Sequence, residues 1–183
     1  MKYMNTTTSK LMESLRCHDL EAYNHCVRVA DLAVEIAVRY GVKQDLIPML
    51  RTAALLHDIG KLCVPQTILQ KPGKLTSEEY AQVKVHTEYG KRILKSFGYP
   101  CAICDVAYSH HERPDGTGYH GDTDIPIFAR IVCAADCMDV MLHGRCYQAH
   151  KDPDAIREDL QHNAGRQFDQ QVADVCMSLM AGK

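Results

Sequence analysis

Ala54-Leu55-Leu56-His57-Asp58-Ile59-Gly60-Lys61 closes an apolar helical segment on an imidazole and a carboxylate. Upstream, Leu46, Leu50, Ala53, Ala54 and Leu56 recur at the spacing of one helical face, and Gly60 ends the run. Adjacent side chains on a helix diverge by about 100°. His57 and Asp58 therefore serve one site only if that site lies against both, which the last turn before Gly60 permits.

The same period extends in both directions. Residues 21–40 carry Val27, Ala30, Val34, Ala37 and Val38 at helical spacing, ended by Gly41. Thr76-Ser77-Glu78-Glu79 is a helix start, a hydroxyl cap followed by acids that suit the helix dipole, and that helix is expected to run to about Ser96. Further helices are expected over 101–110, from Ile125-Pro126 to about His143, from Asp152-Pro153, and over 168–180, with an amphipathic segment near 8–18. Residues 63–75, with Pro65, Pro72 and Gly73, and residues 112–124, with Pro114, Gly116, Gly118 and Gly121, read as irregular loops. No segment of useful length has the strand period. The expectation is one all-α domain over 1–183, a bundle of about seven helices with two long functional loops and with 1–19 as an N-terminal helical extension.

Composition narrows the function classes. A formal net charge of −2 gives no reason to expect a nucleic-acid polymer as partner. The apolar runs are shorter than the roughly 18–20 residues of a membrane span, and the first residues lack a signal-peptide core. A cytoplasmic location with no membrane partner follows. The nine cysteines are odd in number and mostly sit in apolar helical patterns, as reduced thiols packed like small hydrophobes do. Cys101-Ala-Ile-Cys104 has zinc-ligand spacing but no second pair to complete a site.

Around His57 and Asp58 the chain distributes further ligand-type residues: Glu21 and His25 four apart on one helical face, His86, His110-His111 followed by Glu112, and Asp136 inside an apolar run. Taken singly, each has an ordinary structural explanation. As an ordered set they supply nitrogen and oxygen ligands for two divalent ions, with a third within reach. A carboxylate such as Asp58 can bridge two cations, and a mixed histidine and carboxylate set suits iron, manganese, nickel and zinc.

At these residues the chain resembles the HD superfamily of metal-dependent phosphohydrolases, and within it the HD-GYP subgroup, over roughly residues 20–175. The resemblance is carried by the His57-Asp58 segment, by Leu69-Gln70-Lys71-Pro72-Gly73-Lys74-Leu75-Thr76, by His86-Thr87, by His110-His111-Glu112-Arg113 with Asp115-Gly116-Thr117-Gly118-Tyr119, and by Asp136 with Asp139. It implies a helical fold and cyclic di-GMP phosphodiesterase activity on iron, manganese or similar ions. By position, His25, His57, Asp58 and Asp136 would hold one ion, and Asp58, His86, His110 and His111 the second. Glu21 matches an acid that recruits a third ion in some members, and Lys61 a lysine that contacts the substrate phosphate. The chain departs from the subgroup at Gly118-Tyr119-His120, Arg145-Cys146-Tyr147 and Phe168-Asp169-Gln170, where a proline is usual. These differences bear on loop conformation, substrate preference and any signalling partner that docks through 112–124.

The expected chemistry is attack of a metal-bridging hydroxide on phosphorus, in line with the leaving ribose oxygen, with Asp58 and Lys61 as catalytic residues. The product would be the linear dinucleotide, with cleavage on to GMP as a second step. Lys61, Lys71, Arg113 and Arg145 are the cations placed to hold substrate. Two other readings stand beside this one: a phosphohydrolase acting on another nucleotide or phosphate ester, and a non-catalytic module that binds a cyclic dinucleotide.

Overall fold

The computed structural model describes residues 6–144 and 150–180. Ten α-helices and one 3-10 turn lie among them: α1 (Thr6–His18), α2 (Leu20–Tyr40), α3 (Ile47–Leu56), the 3-10 turn Ile59–Cys63, α4 (Gln66–Leu69), α5 (Ser77–Lys84), α6 (His86–Ser96), α7 (Cys101–Ser109), α8 (Ile127–His143), α9 (Pro153–Asn163) and α10 (Gln170–Met180). The all-α expectation holds, and the described residues form no β-strand beyond an isolated bridge between Ala164 and Phe168.

Local chemistry sets the helix ends. The Asp19 carboxylate accepts the Ala22 amide at the start of α2, and Gly41 ends that helix at φ 92°. Thr76 and Glu79 form a reciprocal capping box on α5. Asp152 caps α9 ahead of Pro153.

Two expectations need correction. The helix expected from Thr76 to about Ser96 is broken at Val85, with neither glycine nor proline at the break. His86 Nδ1 lies 2.7 Å from the Val83 carbonyl, and Thr87 Oγ1 donates to the Lys84 carbonyl at 3.0 Å. Those carbonyls would otherwise receive amides of the continuing helix, so side chains divert the ladder and the chain turns. The second correction is smaller: the stretch 63–75 is not wholly irregular, since it contains the single helical turn α4 after Pro65.

α2 lies at the centre, packed on α1, α3, α8 and α10. Its buried face is Cys26, Val29, Ala30, Ala33, Ile36 and Ala37. Facing positions are also small, including Ala53 and Ala54 on α3 and Ala129, Ala134 and Ala135 on α8. Small side chains let helix axes approach closely. α6 packs on the 3-10 turn and on α7, which in turn meets α3 and α8. The ends of α3, α6 and α7 are thereby drawn to the middle of α8 and the first turns of α2.

Candidate metal centre

Five elements deliver polar side chains to one buried place. α2 brings His25, the end of α3 brings His57 and Asp58, α6 opens on His86, α7 ends on His110 and His111, and α8 contributes Asp136. His57 and His110 are fully buried, and Asp58 and His86 nearly so.

The imidazoles are oriented alike. His57 Nδ1 is 2.7 Å from the Ala54 carbonyl, His86 Nδ1 is 2.7 Å from Val83 O, and His110 Nδ1 is 3.1 Å from Ala107 O. A carbonyl can only accept, so Nδ1 carries the proton and the Nε2 lone pair faces inward. His25 does the same through a carboxylate: its Nδ1 lies 2.7 Å from Asp139 Oδ2. Asp139 also takes two hydrogen bonds from Arg28. A carboxylate behind a histidine is the arrangement that fixes the ring of a metal ligand.

The inward atoms fall into two groups that share Asp58. In Asp58, His86, His110 and His111, one ligand atom from each lies within 4.8 Å of all the others, and the same holds for His25, His57 and Asp58. Asp136 Oδ1 adjoins the second group, 2.9 Å from His25 Nε2. Glu21 stands at the exposed first turn of α2, on the wall of a neighbouring cavity that His25 and Lys61 also line. Lys61 is ion-paired with Asp58.

Other expected residues are placed elsewhere. Both Glu112 oxygens accept loop amides, from His120 and Asp122 at 2.8 Å each, so this buried acid ties down the 112–124 loop, and it belongs to neither ligand group. Lys71 is paired with Glu79 at 2.7 Å. Arg113 lies half-buried beside Asp115, whose carboxyl it helps hold low, after the hydrogen bonds from Thr117. Arg145 lies outside the described residues. Cys101 and Cys104 are free thiols.

The donor set fits divalent cations. His57 Nε2 and Asp58 Oδ1 are buried and have no partner in hydrogen-bonding geometry among the described residues. The Nε2 atoms of His86 and His110 lie 3.4 Å apart, each with its proton on the far nitrogen, so two lone pairs face each other across a gap that a cation would relieve. Burial pushes His111 down to about 3 and His110 well below its ordinary range, helped by the neighbouring imidazoles, so both are neutral and able to ligate. Burial opposes ionisation of Asp58, but Lys61 and His57 outweigh it and hold the carboxyl well below the usual range. Burial likewise disfavours a charged His57, yet Asp58 draws it upward.

The family model for the HD domain matches residues 9–172. The chain belongs to the HD domain family. This is the family expected from the His57-Asp58 segment together with the stretch 69–76, His86, the segment 110–119 and Asp136, and the curated relatives are of its HD-GYP type. One relative, a 3'3'-cGAMP-specific phosphodiesterase of Vibrio cholerae, is 35% identical over 91% of this chain and 33% of its own length. A cyclic di-GMP phosphodiesterase of Thermotoga maritima is 36% identical over 88% of this chain and 45% of its own length. The chain thus spans a third to just under half the length of these relatives. Among solved structures, a HDG"Y"P protein from Bdellovibrio bacteriovorus superposes with a TM-score of 0.71 at 22% identity, over 86% of this chain and 52% of that one. The HD domain of the Listeria monocytogenes phosphodiesterase PgpH, in complex with cyclic-di-AMP, superposes at 0.68 and 19% identity over 94% of this chain and 96% of that one. At these identities the likeness is one of fold.

Within this HD domain, reading the sequence alone missed Arg28 and the role of Asp139. Arg28 is three residues after His25, on the same helical face, and that spacing was a usable signal. Asp139, three residues after Asp136, was part of the resemblance, but its link to His25 crosses 114 positions and was not legible. No helix among the described residues is long and apolar enough to cross a membrane.

Proposed function

We propose that this chain is a metal-dependent phosphodiesterase that opens cyclic di-GMP to the linear dinucleotide. The observation that carries the reading is the pair of ligand groups sharing Asp58, with unsatisfied buried atoms turned inward. His25, His57, Asp58 and Asp136 would hold one ion, Asp58, His86, His110 and His111 a second, and Glu21 is the candidate for a third. Iron or manganese is the favoured metal. When bound, such ions neutralise charge on a phosphate and make a water acidic enough to attack phosphorus near neutral pH.

The chain's own residues supply the rest. Asp58 sits between the two groups and holds them in fixed relation. Asp139 keeps the His25 proton on Nδ1. Lys61 lies on the border of two cavities and adds a point charge where a phosphate would meet the centre. The buried position of the histidines excludes bulk water from all but the reacting face.

The names of the relatives divide between cyclic di-GMP and 3'3'-cGAMP, so the choice among cyclic dinucleotides is part of the test. Purified protein supplied with manganese or ferrous iron is assayed against cyclic di-GMP, 3'3'-cGAMP, cyclic di-AMP and nucleoside monophosphates. Linear dinucleotide from cyclic di-GMP supports the proposal. Hydrolysis of monophosphates alone would reject it in favour of another phosphohydrolase, and binding without turnover would favour the non-catalytic module.

A further inference from the structure

A cavity of about 210 Å³ opens onto the candidate centre, lined by Asp58, His111 and Asp136 and by Lys61, Tyr80 and Tyr119. Apart from its two tyrosines and the aliphatic Leu75 and Val83, this lining is made of candidate metal ligands, Asp58, His86, His111 and Asp136, and the Lys61 ammonium, so a phosphate would be held by the bound ions and Lys61. The two tyrosines differ in how far they are already engaged. Tyr119 stacks on His111 at 4.3 Å and 27°, and the Lys84 ammonium lies 4.9 Å from its ring centre. Tyr80 meets Tyr119 nearly at right angles, 85° with centroids 6.2 Å apart, and its hydroxyl donates to the Tyr119 hydroxyl at 3.4 Å. Yet Tyr80 remains 48% exposed, a large aromatic surface at a polar catalytic pocket.

Local contacts fix the helix that carries this ring. Thr76 and Glu79 cap it, and Glu79 is committed to Lys71, so the acid next to Tyr80 is neutralised. A flat, weakly hydrated ring beside a phosphate-handling centre matches a purine, whose face stacks on aromatic side chains and whose phosphate would reach Lys61.

We propose that Tyr80 is the nucleobase platform of this site, its exposed ring taking the face of a purine whose phosphate lies at Lys61 and the candidate centre. The inference rests on the phosphodiesterase reading and adds to it the residue that recognises the base.

The test separates base from phosphate. Binding of GMP and of ribose 5-phosphate is measured by calorimetry on the manganese-loaded full chain, as parent, Tyr80→Ala and Tyr80→Phe. The exposed position of Tyr80 lets each variant fold. GMP binding falls about tenfold in Tyr80→Ala and stays within about twofold of the parent in Tyr80→Phe, the loss expected for one stacked base. Ribose 5-phosphate binds all three proteins equally. The proposal is overturned if the parent fails to bind GMP, if Tyr80→Ala binds GMP as the parent does, if Tyr80→Phe loses as much as Tyr80→Ala, or if ribose 5-phosphate binding falls in step. Turnover of cyclic di-GMP by the parent is scored separately. A parent that binds GMP through Tyr80 but opens no cyclic dinucleotide overturns the phosphodiesterase reading and leaves the platform standing.

Discussion

Gly60 lies directly against the backbone of His86: a Cβ built on Gly60 would fall 1.8 Å from the His86 carbonyl oxygen and 2.5 Å from the Gly90 amide nitrogen. The turn that follows His57 and Asp58 is thus pressed onto the helix that begins at His86, and only the absence of a side chain allows it. Substituting Gly60→Ala forces the two backbones apart. Expected is a loss of stability on the order of 1–3 kcal/mol in urea titration, with fewer ions retained per chain by elemental analysis. Unchanged stability together with full metal content would contradict the close approach.

Asp58 belongs to both ligand groups, whereas His86 belongs to one. Asp58→Ala is expected to lose both ions and to lower turnover at least about a thousandfold. His86→Ala is expected to keep the ion held through His25 and His57. Ion counts from elemental analysis check the difference. Chelation of the parent should abolish activity, and adding back manganese or ferrous iron should restore it.

Asp139 contributes to the acid sensitivity of the fold, as does Asp58, whose carboxyl is also held low. Burial opposes ionisation of Asp139, but hydrogen bonds from His25 and Arg28 outweigh that and lower its pKa from 3.8 to about 2. A lowered carboxylate stabilises the folded state above its ordinary pKa and loses that contribution as pH falls through the folded value. The contribution is therefore present in full above about pH 4 and lost between about 4 and 2, amounting to about 2 kcal/mol. In metal-free protein, Asp139→Asn should remove about that much at pH 7 and little at pH 2. Parallel urea curves for parent and variant across this range measure it. An equal difference at both pH values would show that the loss comes from packing.

Glu112 holds the 112–124 loop through the amides of His120 and Asp122. Glu112→Gln replaces an acceptor oxygen with a donor facing an amide, an arrangement that costs on the order of 1–3 kcal/mol when buried. Amide hydrogen exchange should quicken at 118–122 while the amides of α2 and α8 keep their protection. Exchange that rises evenly through the chain would mean a global effect, not a local one.

Much of this was legible before any coordinates. The caps at Thr76 and Asp152, the αL glycine after Tyr40 and the apolar faces of α2, α3 and α8 obey rules that act within one turn of helix. The ligand residues were legible as types, since a histidine beside an aspartate at the end of an apolar run has few ordinary uses. Less visible were features that depend on side chains turned back on their own backbone. The break at Val85 arises because His86 and Thr87 bond to Val83 and Lys84. Glu112, set next to two histidines in the chain, points to the loop amides instead.

By itself the chain determined its helices, their ends, its family and the kinds of atom available for a metal, because periodicity, capping and ligand chemistry are properties of neighbouring residues. Its resemblance to a family implied which ligands share an ion; tertiary structure decided how those atoms meet and what stands behind them. The packing of small-residue faces on α2, α3, α7 and α8 brings His25 to Asp139 and Asp58 to His86, and leaves Tyr80 open at the pocket. Such meetings cross tens of positions, and steric fit between whole helices, not any local preference, sets them.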